Sequence, residues 1–185
     1  QDFSIIYEDS NIIIVDKPPE LILHRDAKHK NDTLVDQVKY YLYRTGQYNP
    51  QNETTFKPAA ANRLDVNTGG IVIFAKNYSS LQDLNQIIRE KLVEKRYICI
   101  VKGKIEGQGL IESYLIKDEK TNTVRITPQR EEDAKKIATE YISLKASDEY
   151  SLLEVNLITG RSHQIRAQLA YLNHPIIGDP KYGEE

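Results

Sequence analysis

The sequence lacks the features that mark membrane and secreted proteins. It has no apolar run near the roughly 20 residues that a membrane-spanning helix needs. Its opening, QDFSIIYEDS, has neither the basic nor the apolar part of a signal peptide. Cys99 is the single cysteine, so no disulfide forms within the chain, and its neighbours predict a small buried hydrophobe. We therefore expect a cytoplasmic protein without membrane association.

Metal ligands and net charge are scarce as well. The four histidines, His24, His29, His163 and His174, lack the spacing of a metal site, and no group of cysteines joins them. We predict no bound metal. A net charge of −2 argues against a protein that coats nucleic acid nonspecifically, although it permits a local basic cleft.

The composition is that of an ordinary folded domain, and the first residues predict a β-hairpin. The chain has 185 residues, of which 39% are hydrophobic and 28% charged. Residues 4–7 and 11–15 are apolar runs separated by turn residues, and Pro18 and Pro19 end the second run because proline cannot continue a strand ladder. A charged loop is expected over residues 24–31.

Two helices and five further strands follow from hydrophobic periodicity. Asp32 or Thr33 can cap a helix that ends near Gly46, and Ser79 with Gln82 has the spacing of a capping box for the next helix. Residues 46–58 are polar and irregular. Alternation predicts antiparallel strands after the second helix, at residues 96–102, 110–116, 123–126, 137–144 and 152–158.

One carboxylate stands just ahead of an apolar run in NRLDVNTGGIVIFAK, residues 62–76. Asp65 follows Arg63 closely, and residues 71–75 predict a buried central strand. An acid on a loop held by such a strand is rigidly mounted, and it can serve as nucleophile, base, acid or cation ligand. The alternative is an Asp-containing turn capped by its own side chain.

A second chemically rich stretch is LITGRSHQIRAQLAYLNHPIIGDPKYG, residues 157–183. It predicts a strand that turns at Gly160 into a helix capped by Ser162. The residues expected on the inward face of this helix are Ile165, Leu169 and Leu172. His163 and Arg166, three residues apart, share one face near its start. A surface salt bridge is the alternative role for Arg166.

Three phrases, NRLDVNTGG, EKRYICIVKG and TGRSHQIRAQLAYLNHPIIGD, resemble the signature segments of the RluA-type pseudouridine synthases, in the same order. The opening IIYEDSNIIIVDKPPELILH is similar to that family as well. The resemblance implies an α+β fold with a mixed, largely antiparallel sheet, flanking helices and a central catalytic cleft. It further implies isomerisation of uridine within RNA by a single catalytic domain over residues 1–185. That domain would lack its C-terminal strands and an N-terminal RNA-binding domain.

The resemblance also assigns site residues. By motif position, the catalytic aspartate matches Asp65, the active-site tyrosine matches Tyr97, and the arginine that pairs with the aspartate matches Arg166. The residues expected to contact RNA are Asn62, Arg63, Lys76, Arg96, Arg161, His163 and Lys181. The sequence departs from the usual motif at Asn62, where histidine is usual, and at Gly69, where serine is usual.

The chemistry of the implied reaction needs no cofactor, because isomerisation of uridine involves no net redox change and no energy input. Ribosomal RNA is the first expected partner and transfer RNA the second, and the protein is expected to be a monomer. Two other functions remain open. One is an RNA-binding module of the same fold without turnover. The other is a glycosidase or nucleosidase with Asp65 as nucleophile, which would need a second carboxylate such as Glu94 or Asp179.

Overall fold

The helices and strands follow the hydrophobic pattern of the sequence. The computed structural model describes residues 2–25 and 32–183, so His29 and most of the predicted charged loop lie outside the described residues. The elements are β1 (Ser4–Glu8), β2 (Ile12–Lys17), α1 (Leu34–Arg44), β3 (Ala59–Ala60), β4 (Gly70–Ala75), α2 (Tyr78–Arg89), β5 (Arg96–Lys102), β6 (Gln108–Asp118), β7 (Thr123–Thr127), β8 (Lys135–Ala146), β9 (Tyr150–Leu157) and α3 (Gln164–Tyr171). The chain divides into two units, residues 1–92 and 93–185.

The first unit is built on a four-stranded antiparallel sheet with the strand order β1-β2-β4-β3. The predicted hairpin is confirmed, since β1 pairs with β2. Strand β4 lies between β2 and β3, so the predicted central position is also confirmed. Only one face of β4 is buried, because Val72 and Phe74 are fully enclosed while Ile71 is 56% exposed. Strand β3 has two residues, too few to show a periodicity.

Helix α1 covers the buried face of this sheet with Leu34, Val38 and Leu42. Thr33 caps it: the Thr33 hydroxyl accepts a hydrogen bond from the backbone N–H of Asp36, whose carboxylate in turn accepts from the backbone N–H of Thr33. The predicted cap is thus confirmed, and the helix ends at Arg44, close to the predicted Gly46. Residues 46–58, predicted to be irregular, contain no helix or strand.

The start of α2 differs from the prediction. Asn77, not Ser79, is the N-cap, and its Oδ1 accepts hydrogen bonds from the backbone N–H and the hydroxyl of Ser80. The helix therefore begins with Tyr78, and Ser79 lies within its first turn. Asn and Ser are equally good N-caps, so the sequence alone could not distinguish Asn77 from Ser79 as the start of the helix.

The second unit is built on a five-stranded antiparallel sheet with the order β5-β9-β8-β6-β7. The predicted alternation of β5 is confirmed, because Tyr97, Cys99 and Val101 face an apolar cluster while the residues between them are exposed. Burial raises the pKa of the Cys99 thiol to about 11, which supports a packing role for this side chain. With two antiparallel sheets and three helices, the predicted α+β class is confirmed.

The inward face of α3 differs from the prediction. Leu169 is buried as expected, but Leu172 is exposed, and the amides of Gln164 and Gln168 are enclosed instead. Gln168 bonds the hydroxyls of Thr139 and Ser113 and the backbone of Ile111, so its burial leaves no polar group unsatisfied. Nor does Ser162 cap the helix. The N-cap position belongs to His163, which has a left-handed conformation at φ 53° and no side-chain cap bond.

Candidate functional site

Asp65 lies on a short turn between β3 and β4. The backbone N–H of Thr68 donates to the Asp65 carbonyl oxygen at 3.1 Å, which closes the turn, and the Asp65 side chain is half-buried. Gly70 follows with φ +125°, a conformation that L residues rarely adopt, and begins β4. The Asp65 carboxylate therefore lies on a hydrogen-bonded turn just before the first residue of β4.

Lys17, at the end of β2, holds this turn through hydrogen bonds. Its side chain is fully buried, and its ammonium donates to three backbone carbonyl oxygens, those of Pro18 at 3.0 Å, Leu21 at 2.9 Å and Val66 at 3.0 Å. The backbone N–H of Glu20 donates to the same Val66 oxygen at 2.8 Å. The carbonyl oxygen of Val66, the residue after Asp65, thus accepts two hydrogen bonds, one from Lys17 and one from Glu20.

The electrostatics of Lys17 are set by burial and by Asp65. Burial lowers the pKa of Lys17 below its ordinary value, while the negative charge of Asp65 raises it and offsets part of the effect. Lys17 was not among the residues predicted from the sequence to lie at the site. Period-two alternation from the buried Ile13 and Val15 does place its side chain on the inward face, so the signal was present.

Asn62 and Gly69 fit closely around the same turn. The Asn62 amide nitrogen donates to the Ile71 carbonyl at 3.0 Å, and its oxygen accepts from the Ile73 N–H at 2.9 Å, so the side chain continues the pairing of β4. A Cβ atom added at Gly69 would lie 3.2 Å from the Pro19 Cδ. Both departures from the usual motif therefore have packing roles, and an RNA contact of Asn62 stays a prediction.

The other two predicted RNA contacts of the first unit differ in accessibility. Arg63 is exposed beside the Asp65 turn. The ammonium of Lys76 is enclosed instead, where it pairs with Glu8 at 3.0 Å and donates to the Gln47 side chain and the Asp9 carbonyl. Its side chain is only 6% exposed, so the structure gives Lys76 a role in holding the unit together.

In the second unit, Arg166 is clamped by Asp179. The Nε and Nη2 atoms of Arg166 donate to the two Asp179 oxygens at 2.7 and 2.8 Å, a bidentate pair in which the carboxylate is 4% exposed. Burial raises the pKa of Asp179, but the bonds from Arg166 and from the backbone N–H groups of Lys181 and Tyr182 outweigh it and lower the value to about 2. Arg166 therefore occupies a partly buried ion pair, and its guanidinium orientation is fixed.

Tyr182 contacts both Arg166 and His163. Its ring lies 5.2 Å from the Arg166 guanidinium carbon, and its hydroxyl is 2.8 Å from His163 Nδ1. His163 and Arg166, predicted to share one face, therefore both contact Tyr182. The Tyr182 hydroxyl also accepts from the backbone N–H of Val124 at 2.9 Å, which ties the GDPKYG segment to β7. The sequence-based predictions gave Tyr182 no role.

The remaining candidates of the second unit lie on its strands and surface. Tyr97 is half-buried and packs against the apolar cluster that includes Val101, Leu153 and Leu169. Arg96, 59% exposed, pairs with Glu94 at 2.7 Å and Glu154 at 3.2 Å. Arg161 is exposed just before α3. Lys181 is exposed too, and its ammonium donates to the Asn122 carbonyl at 2.8 Å.

Residues 2–25 and 32–183 contain neither a candidate metal site nor a candidate membrane-spanning helix. Within these ranges, no group of three or more His, Cys, Asp or Glu side chains is placed to hold a metal ion. No described helix is long and apolar enough to cross a membrane.

Comparison with known proteins places these residues in a family. Residues 11–171 match the family described as RNA pseudouridylate synthase. The chain belongs to this family. The resemblance carried by the three motifs is thereby confirmed, and the Asp65 turn, Tyr97 and Arg166 all lie inside the matched range.

Curated relatives agree with the family match. The chain is 41% identical over 181 residues to the ribosomal large subunit pseudouridine synthase D of Borreliella burgdorferi, covering 97% of this chain and 54% of the relative. It is 39% identical over 181 residues to an uncharacterized RNA pseudouridine synthase of Mycoplasma genitalium, covering 96% of this chain and 55% of the relative. The chain thus spans about half the length of these relatives.

Solved structures share the fold. Human RNA pseudouridylate synthase domain containing 1 superposes with a TM-score of 0.79 at 24% identity, covering 98% of this chain and 70% of that one. Human RNA pseudouridylate synthase domain containing 4 gives a TM-score of 0.77 at 22% identity, covering 98% of this chain and 69% of that one. At these identities the likeness concerns the fold alone.

Proposed function

We propose that the protein is an RNA pseudouridine synthase that isomerises specific uridines in structured RNA, with ribosomal RNA as the first expected substrate and transfer RNA as the second. The observation that carries the proposal is the family match over residues 11–171, which includes the first two motifs and the third motif as far as Tyr171. The names of the relatives from Borreliella burgdorferi and Mycoplasma genitalium support the same reaction.

The reaction needs a carboxylate such as Asp65. Isomerisation breaks the C–N glycosidic bond of uridine, turns the retained base over and forms a C–C bond to the same sugar carbon. A carboxylate assists by attacking the sugar or the base, or by stabilising the charge that develops as the bond breaks. The anchored turn on which Asp65 lies supports this role, because a catalytic group must be held in a productive position.

Tyr97 and Arg166 complete the proposed catalytic set. Tyr97 offers a ring that can stack on uracil and a hydroxyl that can move a proton. Arg166 offers a guanidinium whose orientation Asp179 fixes. The target uridine must leave the RNA stack before it can react. The exposed cations Arg63, Arg96, Arg161 and Lys181 are the groups we expect to hold phosphates meanwhile.

The structure weakens the glycosidase alternative. Such an enzyme needs a second carboxylate that gives and takes a proton near neutral pH. Of the two motif acids available, Asp179 is bound to Arg166 with a pKa of about 2, and Glu94 is 69% exposed and paired with Arg96. Neither group is poised to act as a general acid.

Replacement of Asp65 tests the proposal. Asp65→Asn keeps the size of the side chain and removes its charge, so we expect pseudouridine formation to be lost while RNA binding and the melting temperature are retained. Asp83→Asn, at an exposed position of α2, removes the same charge from the same unit and should leave turnover unchanged. Measurable turnover by the purified Asp65→Asn protein would reject the role of Asp65. An inactive parent that still binds RNA would favour the RNA-binding module.

A further inference from the structure

Five basic side chains of the first unit form a surface that the reaction chemistry does not use, and only Arg63 among them was predicted to contact RNA. All of them are exposed or half-buried. We call this set the α1 basic surface, and its members are His24, Arg25, Lys39, Lys57 and Arg63.

Backbone hydrogen bonds bring these residues together. Residues 20–25 run between α1 and the Asp65 turn and are tied to both. On one side, the N–H groups of Leu34 and Val35 donate to the carbonyl oxygens of Ile22 and Leu23 at 2.8 and 3.2 Å; on the other, Glu20 N–H donates to Val66. His24 therefore lies between the helix that carries Lys39 and the loop that carries Arg63.

The charges on this surface act on one another. The pKa of His24 is lowered by burial first, and then by the positive charges of Arg63 and Lys39. The pKa of Lys39 is lowered by burial as well, with further lowering by Lys57 and Arg25 and partial compensation by Asp36. The cations Arg63, Lys39, Lys57 and Arg25 thus lie near enough to His24 or Lys39 to act on its charge.

Asp36, whose charge raises the pKa of Lys39, is already engaged. Asp36 binds the Arg25 guanidinium through both oxygens, at 2.8 and 3.0 Å, and also accepts from the Thr33 hydroxyl at 2.8 Å. No acidic side chain within residues 2–25 and 32–183 forms an ion pair with Lys39 or Lys57. In a chain with a net charge of −2, Asp36 therefore offsets only part of this local positive field.

We propose that the α1 basic surface binds the phosphates of the RNA strand that leads to the uridine at Asp65, with Lys39 and Lys57 as its outer contacts. The inference rests on the proposed function for the identity of the polyanion. Arg63 belongs both to this surface and to the motif of Asp65, so the surface runs directly into the catalytic turn. A lysine ammonium acts as a point charge and does not bind a carboxylate in the bidentate way that arginine does. Lys39 and Lys57 are therefore suited to contacting successive phosphates of an RNA strand.

Salt dependence of RNA binding tests the inference. The double variant Lys39→Gln with Lys57→Gln and the parent chain are titrated with a fluorescent RNA stem-loop carrying uridines in its loop, at about 50 to 200 mM KCl. Each phosphate contact with single-stranded RNA contributes about 0.7 to the slope of log K against log salt. We therefore expect the slope to fall by about 1.4 and binding at about 0.1 M salt to weaken roughly 25-fold.

A matched control removes the same charge elsewhere in the unit. Arg89→Gln with Lys91→Gln takes two exposed cations from the end of α2, and neither is among the charges that act on His24 or Lys39. We expect its salt slope to equal that of the parent. Because the cations of the α1 basic surface repel one another, the test variant should melt no lower than the parent, which separates lost binding from lost folding.

The outcomes are distinct. Equal slopes for the parent, test and control variants would overturn the inference, as would a parent that does not bind the stem-loop. Binding of polyglutamate as strong as that of the RNA, with the same dependence on Lys39 and Lys57, would overturn RNA as the ligand. A parent that binds RNA through this surface and forms no pseudouridine would uphold the inference and reject the proposed function. If the parent is active, the test variant should show a raised KM and an unchanged kcat.

Discussion

At the scale of the residue, Lys17 explains why the Asp65 turn is rigid. Three backbone carbonyl oxygens surround its ammonium, and one of them belongs to the residue after Asp65. A buried ammonium is tolerated only when its donors are satisfied, so the turn and the lysine stabilise each other. The turn that carries the proposed catalytic carboxylate is thus held by the side chain of Lys17.

Tyr97 has two possible roles, packing through its ring and proton transfer through its hydroxyl, and replacing the hydroxyl separates them. Its ring packs against an apolar cluster, as a core tyrosine would, while its hydroxyl is the group expected to move a proton. Tyr97→Phe keeps the ring and removes the hydroxyl, so we expect product formation to fall about 10²- to 10⁴-fold. RNA binding, measured by the same stem-loop titration, should be retained.

Tyr97→Leu is the companion variant. It removes the aromatic face as well, so RNA binding should weaken by roughly 1–3 kcal/mol through lost stacking. Normal turnover by the Phe protein would show that Tyr97 only stacks or packs, and that another group or water moves the proton.

At the scale of the element, the start of α2 distinguishes two caps. Asn77 bonds the Ser80 N–H at 2.9 Å, whereas Ser79 is an exposed residue of the first turn. We expect Asn77→Ala to lower the free energy of unfolding by about 1 kcal/mol, because one helix N–H loses its partner. Ser79→Ala should have almost no effect. Urea unfolding followed by circular dichroism measures both, and the reverse ranking would restore the capping box predicted at Ser79.

The pairing of α3 with the GDPKYG segment should appear in the acid stability of the protein. The pKa of Asp179 is about 2 in the folded chain against an ordinary value of 3.8. A lowered carboxyl pKa stabilises the folded state above the higher value, and this contribution is lost as pH falls from about 4 to 2. It amounts to roughly 2 kcal/mol.

Asp179→Asn should remove that contribution. Its unfolding free energy should be lower than that of the parent at neutral pH, and the difference should shrink between about pH 4 and pH 2. Asp83→Asn serves as the control at an exposed site. A constant difference across this range, measured by denaturant unfolding, would mean that Asp179 acts through packing and not through its charge.

At the scale of the whole molecule, the charges are balanced overall and unequal locally. The net charge is −2, yet α1 and the Asp65 turn carry a cluster of cations. Such a chain should bind RNA where these cations meet phosphates, and it should not coat RNA along its whole length. The same reasoning argues against a general RNA-coating protein.

A pseudouridine map of total RNA tests the proposed function. We expect cells without the gene to lose pseudouridine at one or a few uridines, in ribosomal RNA first. Expression of the parent sequence should restore those positions, and expression of Asp65→Asn should not. An unchanged map would contradict the enzyme and support an RNA-binding module.

The sequence by itself determined the local structure and the family. Alternation in β5 correctly assigned Tyr97, Cys99 and Val101 to one face, and the cap of α1 is Thr33, one of the two residues predicted for it. These features depend on neighbours a few residues apart, and hydrophobic period and capping chemistry act over that range. The three motifs and their order were sufficient to indicate the family, because residue identity and order can be read from the sequence without knowing the fold.

Only the tertiary structure decided which side chains support the site. The Lys17 ammonium reaches Val66, 49 positions along the chain, and Arg166 meets Asp179 across the turn after α3. The inward amide of Gln168 likewise finds Ser113, 55 positions away. A buried polar group is stable only if a partner meets it, and that partner is brought near by strand pairing and helix packing and not by sequence spacing. Local periodicity therefore did not identify the buried amides of Gln164 and Gln168, which the fold encloses together with their partners.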